Sequence, residues 1–129
     1  MRLATLFVLV SSLCGTGLMA QDDLANYQTH MKAAAAANGA LRQALGAKDT
    51  AAAATAAGNA VAAFDWIATF WQGKGKDDGA TFAKNASAAF KGVADAKTAD
   101  DQAAAAGKMQ PTCGACHTVY RAGNQFKGM

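Results

Sequence analysis

Glutamate is absent from this chain of 129 residues, proline occurs once, histidine twice and cysteine three times. Each scarcity excludes something. With Pro111 alone and no run of alternating β-branched residues, nothing reads as a set of strands. The formal charge is only +3, and the basic residues are scattered without a run or interleaved aromatics, so nucleic-acid binding has no support. What abounds is alanine, the best helix former, with larger apolar residues recurring at helical spacing. All-α is the fold class this composition predicts.

The first twenty residues stand apart. Met1-Arg2 gives a short positive start, "LATLFVLVSSLCGTGL" is an apolar run ending in small residues, and "LMA" precedes Gln21. That is the layout of a secretory signal peptide over residues 1–20, cut after Ala20. A membrane anchor is the rival reading, but the strongly apolar part falls short of the ~20 residues a spanning helix needs. A lipoprotein signal at Cys14 is disfavoured by bulky Leu13, where a small residue is expected. Residues 21–129 then form one domain, exported to the periplasm, with no membrane span in the mature form. Cys14 leaves with the signal. The remaining pair, Cys113 and Cys116, would close only a tiny loop as a disulfide, which staples nothing distant.

Three breaks divide the mature chain. "GAKDT" (Gly46 to Thr50), "QGKGKDDG" (Gln72 to Gly79) and "KTADD" (Lys97 to Asp101) separate four segments of bundle-helix length. Asp22-Asp23 supplies acidic residues suited to the first helix start. The first segment carries an apolar seam through Leu24, Tyr27, Met31, Ala34, Asn38, Leu41 and Leu45, at alternating spacings of three and four. The second has Ala57, Val61, Phe64, Ala68 and Trp71 with Ile67 beside them. The third has Phe82, Ala86, Ala89, Phe90 and Val93, and the fourth Ala106, Met109, Cys113, Cys116 and Tyr120. Short connections predict antiparallel neighbours, hence an up-down-up-down four-helix bundle. Its seams are mostly alanine, so the bundle either packs thinly or holds something large and apolar.

The chemistry is concentrated in "MQPTCGACHTVYR", Met109 to Arg121. On a helix, Cys113, Cys116 and His117 project from nearly one face. C-x-x-C-H is the signature of c-type haem attachment, in which two thiols bond the vinyl groups and the adjoining imidazole reaches the iron. Three other readings compete. A zinc site needs four ligands, and only His30 remains as an extra one. A thioredoxin-like redox pair belongs beside a βαβ pattern, which is missing. A chance motif would not need three reactive side chains on one helical face. Pro111 cannot donate a hydrogen bond back to Gly107, so the last segment either kinks there or its motif-bearing helix starts near Thr112.

With a signal peptide, four helical segments and "CGACHTVYR" near the C-terminus, the chain resembles the class II c-type cytochromes, the cytochrome c prime family. The resemblance spans essentially the whole mature chain, although only the haem motif is highly specific. It implies one covalently attached haem c within the bundle, held by Cys113 and Cys116, with His117 as the proximal ligand. Arg121 matches a basic position near the haem edge in that family, or is simply a charge favourable to the helix dipole.

The resemblance also implies that the first helix supplies the residue on the far side of the iron. Some members place an apolar residue there and bind small gases; others place a methionine and carry electrons. "YQTHMKAAAAANGALR" is similar to the methionine-bearing members. Met31 is therefore the expected distal ligand, His30 is its rival about 100° around the helix, and Tyr27 is expected to line the pocket. Met31 as plain core packing is the alternative. A thioether opposite histidine raises the reduction potential. The expected function is a periplasmic one-electron carrier with periplasmic redox partner proteins, monomeric or homodimeric. The other reading is a five-coordinate protein binding NO or CO at an open distal site. No activated serine, acid pair or second metal site marks it as an enzyme.

Overall fold

The computed structural model describes residues 16–123 and 125–127. Five helices follow one another: α1 (Thr16–Gly46), α2 (Thr50–Gly73), α3 (Asp77–Asp95), α4 (Ala99–Ala106) and α5 (Gln110–Tyr120). A two-residue antiparallel pair, β1 (Arg121–Ala122) with β2 (Gln125–Phe126), closes the tail. Apart from this pair the described protein is helical, and its helices pack as a bundle. Among the described residues no helix is long and apolar enough to cross a membrane. The first fifteen residues of the expected signal segment lie outside the described ones, and Thr16 to Ala20 form the first turns of α1.

The breaks have local causes. After α1 the left-handed position is taken by Lys48 (φ 55°) and not by Gly46, which ends the helix. Asp49 then caps α2, its carboxylate accepting from the Ala52 N–H at 2.9 Å. The α2–α3 turn uses Gly75 at φ 66°, a conformation that favours glycine. Thr98 and Asp101 form a reciprocal cap on α4: the Thr98 hydroxyl accepts from the Asp101 N–H and donates to its carboxylate.

The expected fourth segment is two helices. Gly107 to Met109 form a turn between α4 and α5, and Pro111 sits in the first turn of α5. Its missing N–H falls where a helix has no internal partner to offer, so the proline costs the helix nothing there. The kink and the later start anticipated from Pro111 both resolve into this break.

Contacts between distant residues fix the helix directions. Lys74, just past α2, pairs with Asp23 near the start of α1, so the two run antiparallel. The Ser87 hydroxyl of α3 donates to Asp65 of α2 at 2.6 Å. Tyr120, last in α5, donates to Asp78 in the first turn of α3, so these two helices also run antiparallel. Gln102 of α4, 1 % exposed, donates from Nε2 to the Thr50 carbonyl at 3.0 Å. Gln102→Ala should remove that bond and leave a void, costing about 2 kcal/mol of stability. A lower urea midpoint at an unchanged slope would report it; an unaltered midpoint would refute a structural role for this amide.

Most buried apolar side chains are alanines, among them Ala34, Ala37 and Ala44 of α1 and Ala53, Ala56, Ala57 and Ala60 of α2. Small side chains let helix axes approach closely. The large buried residues, Tyr27, Leu41, Ile67, Trp71, Phe90 and Val93, thicken the core elsewhere. On α3 the inward row is Ala80, Ala83, Ala86, Phe90 and Val93, so Phe82 and Ala89 lie at its margin, half-buried.

Candidate functional site

A cleft with about 170 Å³ of internal space, part of it open to solvent, runs between α1, α2, α3 and α5. Its walls are overwhelmingly apolar. Ile67 and Phe64 come from α2, and Phe82, Ala83, Ala86 and Phe90 from α3. From α1 come Tyr27, Met31, Ala34, Ala35 and Asn38; from α5 come Thr112, Cys113, Cys116 and His117.

The α5 wall follows from helix geometry. Spacings of three and four bring Cys113, Cys116 and His117 to one face, and that face lines the cleft. The Thr112 hydroxyl donates to the Met109 carbonyl at 2.6 Å, holding the first turn. Both cysteines are free thiols and half-buried. Burial, then the charges of Cys113 and Asp78, push the Cys116 thiol up to about 11. Burial, then Arg121, holds the His117 imidazole below its ordinary range. At neutral pH the wall thus presents a protonated thiol and a neutral imidazole whose lone pair is available to a metal.

The α1 wall carries Tyr27 and Met31 one turn apart. Met31 is half-buried against the core, its thioether reaching the same cleft as His117 from a different helix. Tyr27 is 2 % exposed. Its ring lies 4.9 Å from Phe70 and 5.4 Å, edge-on, from Trp71. Burial and then Cys116 raise its pKa, against a smaller lowering by the Trp71 N–H. It therefore stays a neutral phenol.

Two expected site residues lie elsewhere. His30 does not line the cleft; its ring stacks on Trp66 at 3.9 Å and 10°. Arg121 lies beyond the end of α5, where its Nε donates to the Gly123 carbonyl at 2.7 Å; it does not line the cleft, and its charge acts on His117. Sequence reasoning passed over Phe82 and Asn38 as cleft residues by placing them in the seams of the third and first segments. Asn38 sits two turns past Met31 on the same face, and that spacing was the available signal. Thr112, next to the motif, was also missed.

The cleft lining combines side chains able to ligate a metal with apolar ones. Two thiols and an imidazole share one wall, a thioether occupies another, and aromatic and aliphatic side chains fill the rest. A zinc cage is poorly matched, since among the described residues no group of three or more His, Cys, Asp and Glu is placed so that it could by itself hold a metal ion. Compared with known proteins, the chain matches no family model, no curated protein and no solved structure.

Proposed function

We propose that the protein is a periplasmic c-type cytochrome of the class II, cytochrome c prime kind, carrying single electrons between periplasmic redox partners. One observation carries this reading: Cys113, Cys116 and His117 line the same apolar cleft as Met31. On this reading Cys113 and Cys116 would hold one haem c by thioether bonds, and His117 and Met31 would be the ligands to its iron. Haem, when bound, provides a one-electron ferric–ferrous couple. The chain's own residues do the rest. Phe64, Ile67, Phe82 and Phe90 keep water from the cleft interior, which favours the less charged state of whatever it holds. The neutral imidazole of His117 is ready to bind metal without first losing a proton. A Met31 thioether on the iron would raise the reduction potential.

A second reading, reversible capture of NO or CO, draws on the half-burial of Met31 beside a cleft partly open to solvent. One spectrum separates the two. Reduced protein from a host with c-type maturation machinery should show a sharp low-spin α-band that carbon monoxide leaves unaltered. A high-spin band that shifts at once with the gas would select the second reading.

A further inference from the structure

The helix that bears the motif is fastened at its ends. Met109, just before α5, and Tyr120, its last residue, are buried, whereas every residue between them is half-buried or exposed. The direction of the cleft-facing side chains therefore depends on how those ends are held.

The C-terminal end is held in detail. The Tyr120 ring lies 4.4 Å from Trp71 of α2, and its hydroxyl donates to Asp78 Oδ1 of α3 at 2.5 Å. The same oxygen accepts from the Gly79 N–H at 2.9 Å, so the acceptor is fixed to the start of α3. Gly79 in turn lies against Trp71, with no space there for a Cβ. Tyr120 thus meets an acceptor that a second hydrogen bond, from the Gly79 N–H, also holds. His117 stands three residues earlier, a neighbour on the helix surface. Any roll of α5 about its axis moves both side chains together.

We propose that the Tyr120–Asp78 hydrogen bond is a latch that sets the roll of α5 and so aims His117 into the cleft. Tyr120 and Asp78 are then positioning residues for the proximal ligand, a role that rests on the haem reading above. The hydrogen bond to Asp78, the largest cause, also raises the Tyr120 pKa to about 12. Ring packing alone is a distinct function, because Phe at position 120 would keep the contact with Trp71 and lose only the bond.

The test uses the full chain, matured with haem, as native protein and as Tyr120→Phe, Asp78→Ala and Asp78→Asn. Tyr120→Phe and Asp78→Ala should show part of the low-spin spectrum converted to high-spin and carbon monoxide affinity raised roughly tenfold. Amide exchange across 110–120 should also be roughly tenfold faster. Asp78→Asn keeps an acceptor oxygen and should match the native protein in all three. A native-like spectrum in Tyr120→Phe, whatever its exchange rate, overturns the latch. Damage in Asp78→Asn equal to that in Asp78→Ala overturns it too, since charge and not the bond would then be at work. Should even the native chain take up no haem, the haem reading fails separately. Exchange alone then decides: equal rates in Tyr120→Phe and native protein would show that the bond does not hold α5.

Discussion

Met31→Leu should turn a low-spin protein inert to carbon monoxide into a high-spin one that binds it. Leucine nearly conserves the volume of methionine, and such swaps cost less than about 1.5 kcal/mol in a packed core. Met31 is only half-buried, so its cost should fall at the low end. What disappears is the sulfur, the only thioether among the cleft-lining side chains. The reduction potential should fall as well, because the ligand that raises it is gone. His30→Ala is the matched control. Its ring stacks on Trp66 and does not line the cleft, so the spectrum should not move. The reverse pattern, with Met31→Leu still low-spin and His30→Ala high-spin, would hand the sixth position to imidazole.

Gly79→Ala should destabilise the fold, although the same change at Gly58 or Gly92 should stabilise it. All three lie in helices, where replacing glycine by alanine gains about 0.5–1 kcal/mol from backbone entropy and propensity. Around Gly58 and Gly92 an added Cβ meets nothing within 4 Å, so that gain stands. At Gly79 the new carbon would lie 2.9 Å from two ring atoms of Trp71. Trp71 is fully buried and cannot yield easily, with Phe70, Tyr27 and Tyr120 packed around its ring. Overpacking of this kind costs about 1–3 kcal/mol, which exceeds the gain. For a domain of this size the net loss should lower Tm by roughly 5 °C or more. Displaced Trp71 also pushes on Tyr120, so the spectral changes of Tyr120→Phe should appear in milder form. A Tm raised in Gly79→Ala, as in Gly92→Ala, would contradict the packing described.

Much of the architecture was legible because glycine, charge and helical period speak locally. The stretches at Gly46 to Thr50 and Gln72 to Gly79 hold the α1–α2 and α2–α3 turns. The one-faced spacing of Cys113, Cys116 and His117 carries directly into the cleft wall. Alanine blurs the reading elsewhere. The run Ala33 to Ala37 offers an apolar side chain on every face, and only packing against α2 selects Ala34 and Ala37 for burial. Phe82 was misplaced for the same reason, because neighbouring alanines fit the α3 seam equally well. The Gly107 to Met109 turn was blurred by the alanine-rich stretch ahead of it, and Pro111 alone hinted at it. The clamp of Tyr120, Asp78, Gly79 and Trp71 left no trace, since its hydrogen bond joins residues 42 apart. No period within a single helix reports such a pairing.

The proposed electron carrier stands or falls with covalent attachment of haem through Cys113 and Cys116. Intact mass of the protein, denatured after expression beside c-type maturation machinery, tests it most directly. The mass should exceed that of the processed chain by one haem, with the increment abolished in Cys113→Ser/Cys116→Ser. A native chain that carries no added mass under those conditions would contradict it.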